Sequence, residues 1–220
     1  LLVTFVSFLA LTLLVLLQPD LGMTILIAST FFCQLFIAGL PMMLVLYGIA
    51  FILSLSILSY FFLDHVKSRV DSFLGNADTY QIDLSLSAFK SGGIFGKGPG
   101  QGDLKEKIPD ANTDFIFAVY SEEFGFFGVT IIFALFLLLI FRIFILANNM
   151  QSTFSKLLTV SLGVSIFSAI FVNIAMISGL VPVVGLPLPF MSYGGTSMVV
   201  SLASVGIIMS LNHHKTLIAN

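Results

Sequence analysis

The chain has 220 residues, 58% of them hydrophobic and only 9% charged, with 24 Phe and a formal net charge of −2. Water-soluble domains carry about a quarter charged residues, and the mean hydropathy here is +1.09, so a soluble globular protein is excluded. The small net charge gives no electrostatic footprint for a nucleic-acid partner.

Apolar segments fall at about 1–17, 22–40, 42–63, 122–146, 156–180 and 191–211. Each is long enough, or nearly so, to cross about 30 Å of hydrocarbon as a helix. The pattern predicts an all-α integral membrane protein, a polytopic bundle of about six transmembrane helices. Three spans occupy 1–63, a long loop occupies 64–121, and three spans with a short tail occupy 122–220. The segment at 22–40 is the weakest, bounded by Gly22, Gly39 and Pro41. Residues 1–17 have no basic flank and no small-residue cleavage site, so they do not read as a signal peptide. The chain starts in mid-pattern without Met and is expected to be part of a longer protein. Cys33 lies alone in an apolar run and reads as a small core residue.

The polar stretch 64–123 holds six of the nine basic residues and ten of the eleven acids. Long loops are poor witnesses for the positive-inside rule. The short-loop charges favour the long loop outside the cytoplasm and His213, His214 and Lys215 inside.

Four motifs interrupt the apolar pattern. Gln18-Pro19-Asp20-Leu21-Gly22 joins the first two spans. Asp20 has no basic neighbour in sequence, so it either caps the next helix or lines a cavity. Lys90 to Asp103 contains six glycines but fails both phosphate fingerprints: Ser91 stands where the P-loop needs its first Gly, and Gln101 where a dinucleotide site needs its last. It reads as a close-packed loop or as a backbone-and-lysine surface for a non-nucleotide diphosphate.

The third motif, 108–125, brings Asp110, Asp114, Glu122 and Glu123 to the edge of an apolar segment, where an unpaired carboxylate costs several kcal/mol, roughly. Thr113 is placed to cap a helix starting at Asp114, and the four acids read either as solvated loop or cap residues or, for Asp114, as a site group at the mouth of the membrane. The fourth, 179–197, cannot be helical throughout, because Pro182, Pro187 and Pro189 interrupt it. Broken backbone at membrane depth persists only where it is buried in protein or lines a wet cavity. It reads as a helix-capping loop or as a cavity wall carrying Ser192, Tyr193, Thr196 and Ser197. The three His match no metal-site spacing, and no nucleophile elbow occurs.

Together these motifs resemble the SEDS proteins of bacterial cell-wall synthesis, the FtsW/RodA/SpoVE family. The resemblance rests on Gln18–Gly22, on Tyr80-Gln81 with Ser91-Gly92-Gly93 and Gly96, on Thr113–Ala118 with Glu122-Glu123, and on Gly185–Ser197. It covers the whole chain and matches the C-terminal six of about ten spans. Pro109–Asp114 leans towards the FtsW-like branch, which is preferred here, and Pro182–Pro187 leans towards the RodA-like branch.

The resemblance implies a multi-pass protein of the bacterial inner membrane. It implies a peptidoglycan glycosyltransferase that polymerises lipid II at the outer face, in division or elongation. The essential acid of the family matches Asp114, as the general base. Asp20, Lys97, Lys105, Ser192, Tyr193, Gly194 and Gly195 are expected to bind substrate, with Lys107 a further candidate for the leaving diphosphate. That leaving group calls for positive charge or a divalent cation, Mg or Mn, and no organic cofactor is implied. The implied partners are a class B penicillin-binding protein and other divisome or elongasome components. Asn112 stands where the family usually has His, and an amide cannot carry a proton at neutral pH. A lipid II flippase fits broken helices and acids at membrane depth equally well, and a non-catalytic scaffold is a third reading.

Overall fold

The computed structural model describes residues 2–18, 20–62, 64–75 and 80–218. Pro19 of the first motif lies outside the described residues, as do the side chains of His213, His214 and Lys215. Among the described residues every regular element is a helix: α1 (Leu2–Leu17), α2 (Leu21–Ile37), α3 (Met42–Phe62), α4 (Asp64–Phe73), α5 (Tyr80–Gly92), α6 (Ile116–Asn148), α7 (Thr153–Ile177) and α8 (Gly195–Ile218). The protein is an all-α integral membrane bundle with broken segments.

A helix stands at each of the six expected apolar segments. Three of them, α6, α7 and residues Gly195–Asn212 of α8, are long and apolar enough to cross a bilayer unaided. At about 1.5 Å per residue, α1 with 16 residues and α2 with 17 fall short of 30 Å.

The boundaries differ from the sequence pattern in instructive places. The segment 64–121 is not one loop, because it contains α4 and α5. Helix α5 turns the small residues Ser85, Ala88 and Gly92 inward, a seven-residue face that hydropathy alone does not reveal. Gly92 lies so close to α6 that a Cβ there would sit 2.1 Å from the Ser121 carbonyl oxygen. Helix α6 starts at Ile116, six residues before the apolar run, and Thr113 does not cap it. Phe115 is the N-cap, without a side-chain bond, and the Thr113 hydroxyl donates to the Asp110 carbonyl at 3.2 Å.

Helix α7 is the centre of the bundle. Two-thirds of its apolar window is buried (67%), against 17% for α6 and α8, because α2 and α6 both pack along it. Ser29 and Ser168 hydrogen-bond between α2 and α7 at 2.9 Å, and Gln34 donates to Ser161 one turn pair away. Such polar contacts hold helices together where lipid removes the hydrophobic drive. Phe8 stacks on Phe31 with centroids 4.0 Å apart, joining α1 to α2.

The most consequential local feature is a break in α6 at Gly125 (φ 64, ψ −166). An uninterrupted helix would pair the N–H of Phe126 and Phe127 with the carbonyls of Glu122 and Glu123. Here those N–H groups donate to Gly93 O (2.9 Å) and Ile94 O (3.0 Å). The two carbonyls accept from Lys97 N and Gly98 N, both at 3.0 Å. The glycine-rich loop is thus docked into the opened turn. Gly96 and Gly125 make room: a Cβ on Gly125 would lie 2.3 Å from Gly96 N, and one on Gly96 would lie 2.1 Å from Glu123 O.

Gly125→Ala combines a backbone region that is close to glycine-only with a collision against main chain. The variant should lose about 2–4 kcal/mol of stability, seen as a clear drop in thermal midpoint in detergent. A variant as stable as the parent would show that the break is not required.

Candidate active site

Asp114 lies in a turn, 109–115, that precedes α6, and it is half-buried. The turn is held from two sides. Its own backbone closes through Thr113 N and Phe115 N, which donate to Asp110 O at 3.0 and 3.2 Å. Asp110 adopts φ 55, a region seldom used outside glycine and Asn or Asp. From the other side comes the proline-rich loop. Tyr193 N donates to Asn112 O at 2.8 Å, and the Ser192 hydroxyl donates to Thr113 O at 2.6 Å. Asn173, fully buried on α7, donates through Nδ2 to Asp114 O at 2.8 Å and to Leu186 O at 2.6 Å. Phe190 in the same loop is at φ 66. The two non-glycine residues with positive φ among the described residues therefore sit one on each of the clasped loops.

The Asp114 carboxylate faces Gly185. A Cβ on Gly185 would stand 3.5 Å from Asp114 Oδ2, and φ +69 makes glycine the fitting residue. The loop is also braced from α2 and α4. Gly22 packs so tightly that a Cβ would approach Leu186 Cγ to 2.6 Å, and the Arg69 guanidinium on α4 donates to Val183 O at 3.0 Å. Burial pushes the Asp114 carboxyl above the usual carboxylate range. The negative charges of Asp110 and Asp20 push the same way, and the Arg69 charge opposes them. Asp114 is thus held in a partly desolvated seat, with one charged neighbour in its own turn and two more from α2 and α4.

The remaining expected site residues divide into two groups. Asp20 is the N-cap of α2: its carboxylate accepts from Met23 N at 2.9 Å while its charge acts on Asp114. Tyr193 is 84% exposed beside the Asp114 turn, and Gly194 and Gly195 lead from it into α8. Lys105 reaches only Gly100 O, at 3.3 Å, in exposed surroundings, and Lys107 is exposed. Ser192 and Lys97 are used otherwise than the sequence suggests. Ser192 is 3% exposed, its proton is committed to Thr113 O, and its oxygen accepts from Leu188 N at 2.7 Å. It is a clasp between loops. Lys97 Nζ is bonded to Glu122 at 2.7 Å and to Asp103 at 2.9 Å.

Glu122 is fully buried and accepts four hydrogen bonds, from Lys97 Nζ, Ser91 Oγ (3.1 Å), Asp103 N (3.2 Å) and Leu104 N (3.1 Å). A buried carboxylate with that many donors is satisfied as a structural anchor. It closes the chain segment 103–122 into a loop with Asp114 inside it. The Glu122 hydrogen bond holds the Lys97 ammonium above its ordinary range, and the Lys97 hydrogen bond holds Asp103 below its own.

Two residues of the site carry no sequence motif. Arg69 is one of six basic residues in a polar stretch, with nothing local to single it out. Asn173 did leave a signal: it is an amide inside an apolar span, and polar groups there are rare and need partners. Its Oδ1 has no partner. Among the described residues, no group of three or more His, Cys, Asp and Glu is placed to hold a metal.

Comparison with known proteins places this geometry. The family model described as cell cycle protein, FTSW_RODA_SPOVE, matches residues 1–217. The chain is 40% identical over 217 residues to the peptidoglycan glycosyltransferase MrdB of Escherichia coli, covering 94% of this chain and 59% of that protein. It is 36% identical over 201 residues to the probable peptidoglycan glycosyltransferase FtsW of Caulobacter vibrioides, covering 90% and 51%. Among solved structures it resembles a chain of a peptidoglycan synthase complex that coordinates polymerization and crosslinking, with TM-score 0.79, 29% identity, and coverage of 96% of this chain and 61% of that one. It also resembles the rod shape determining protein RodA of Thermus thermophilus, with TM-score 0.64, 28% identity, and coverage of 96% and 55%. The chain spans between about half and three-fifths of the length of these proteins.

Proposed function

The chain belongs to the family of FtsW, RodA and SpoVE cell cycle proteins, and from that premise we propose that it carries the general base of a peptidoglycan glycosyltransferase. The observation that supports this reading most directly is Asp114: a single acid in a half-buried seat, walled by a proline-rich loop that cannot be helical. The substrate proposed is lipid II, and the relatives named as peptidoglycan glycosyltransferases support it.

In the proposed step, an Asp114 carboxylate oxygen takes the proton from the acceptor sugar hydroxyl. The hydroxyl oxygen attacks the donor's anomeric carbon from the face opposite the diphosphate. The bond from that carbon to the diphosphate oxygen breaks, undecaprenyl diphosphate leaves with the bonding pair, and configuration inverts. A base is most useful when its pKa approaches the working pH, so the burial that raises Asp114 improves its fitness for the task. Tyr193, Gly194 and Gly195 are proposed to face the substrate beside Asp114, and Asp20 to act through charge. Lys105, Lys107 and Arg69 are proposed to supply positive charge for the diphosphate. A divalent cation, Mg or Mn, stays a proposal for the whole protein. So does assembly with a class B penicillin-binding protein, in divisome or elongasome. The family resemblance supports that pairing, as does the likeness to a peptidoglycan synthase complex.

This chemistry requires 93–121 on the outer side of the membrane. Cysteine at the exposed Glu106, in a Cys33→Ala background, should react with an impermeant thiol reagent in intact spheroplasts. Protection until lysis would reverse the topology.

Asp114→Asn in the full-length protein with its partner should abolish polymer formation from purified lipid II, by roughly a hundredfold or more. Lipid II movement across liposomes is followed in parallel. Scrambling without polymer in the wild type, where a control polymerase works, would make the protein a flippase.

The acid limb of the pH–rate profile should also lie above the ordinary aspartate range, because the reactive ionised form is lost as pH falls through a raised pKa. Arg69→Gln removes the opposing positive charge and should move the limb to higher pH. Asp110→Asn removes a repulsive charge and should move it lower. Unmoved limbs in both variants would show that Asp114 does not set the profile.

A further inference from the structure

We propose that Asn173 is a positioning residue for glycosyl transfer: its one amide group fixes the Asp114 turn and the proline-rich loop to each other across the enclosed centre of the bundle. The proposal rests on the reading of Asp114 as the reacting base. Asn173 comes from α7, the most enclosed span, and is itself fully buried. Its Nδ2 donates one hydrogen to Asp114 O, 59 residues away in sequence, and the other to Leu186 O, 13 residues away. Both partners are carbonyl oxygens, so only the NH2 end of the amide can face them, and the side-chain orientation follows from chemistry.

The other links between the two loops reach Asn112 and Thr113. Among the described residues Asn173 is the one that bonds residue 114 across the two loops, and it does so from α7 rather than from a loop. Leu186 lies next to Gly185, which stands against the Asp114 carboxylate. One planar group with two donors therefore sets the separation between the base and the wall facing it. Serine would offer one donor, aspartate none when ionised, and glutamine an added methylene. The opposite end of the amide, Oδ1, is buried without a partner. Packing alone does not select an orphaned acceptor inside an apolar helix. Local rules are broken in this way where a site needs the group's other end.

The test uses the full-length protein with its partner, comparing wild type, Asn173→Ala and Asn173→Ser. Three quantities are read: kcat and KM for lipid II, the acid limb of the pH–rate profile, and hydrogen exchange of segments 110–119 and 184–193. In Asn173→Ala, kcat should fall about 10- to 100-fold while KM stays within about threefold, since an ångström-scale misplacement of a reacting group costs this much. The acid limb should move down towards the ordinary aspartate range, because a loosened Asp114 leaves its half-buried seat. Both segments should exchange faster together, with Asn173→Ser intermediate. A purely structural residue would lower the folded fraction and scale activity down with it, leaving the limb in place. That result, or loosening of only one segment, overturns the proposal. If the wild type makes no polymer, it is the glycosyl-transfer reading that fails, and the exchange pattern still decides whether Asn173 couples the two loops.

Discussion

A helix that opens inside an apolar segment must find partners for every backbone group it uncouples, and this constraint organises the region around α6. Left unpaired away from water, each such group costs about 1–3 kcal/mol. The glycine-rich loop meets all four at Gly125 with its own main chain, which is why it needs glycine where the two backbones meet. Once docked, the loop delivers Ser91, Lys97, Asp103 and Leu104 to the one carboxylate that is fully buried, Glu122. The break and the anchor support each other. The segment they close carries the Asp114 turn, which the proline-rich loop and Asn173 hold from the other side.

Two carboxylates eight residues apart thus have opposite fates. Glu122 is buried and surrounded by donors, so its charge is satisfied and chemically silent. Asp114 is half-buried with no side-chain donor to its carboxylate among the described residues, and negative neighbours add to the pressure of burial. A carboxylate kept under such pressure is ready to accept a proton. The surroundings spend their hydrogen bonds on main-chain carbonyls of the turn, at Asn112, Thr113 and Asp114, and leave the reacting oxygens free. The position is fixed without quenching the group.

Much of this was legible in the residues. Composition gave the membrane class, hydropathy located six apolar helices with some ends six or seven residues off, and the prolines at 182, 187 and 189 forbade a helix where none exists. Asp114 stood out as an acid at the edge of an apolar run. Helix α5 was hidden because its buried face is Ser85, Ala88 and Gly92, which leave no hydropathy signal, and α4 because it is only ten residues long and rich in charge. The glycines between 92 and 102 looked like a phosphate cradle because both uses need bare backbone, and only tertiary structure says whether the partner is an anion or another segment of the chain. The ion pair of Lys97 was hidden for a related reason: its carboxylate partner lies 25 residues away, beyond any local pattern. Arg69 acts on Asp114 across separate elements, a relation that no spacing rule encodes.

The break at Gly125 has a further property when its hydrogen bonds are read as an exchange. Phe126 and Phe127, and the carbonyls of Glu122 and Glu123, are one another's natural partners in a regular turn. In the observed state each has taken a substitute from the loop. If the loop withdrew, the four helix groups could pair among themselves, and only the loop's groups would have to turn to water. The interrupted and the continuous forms of α6 are therefore both fully bonded along the helix. At the break, two bonds that a regular turn would make within the helix are thus exchanged for four bonds to the glycine-rich loop.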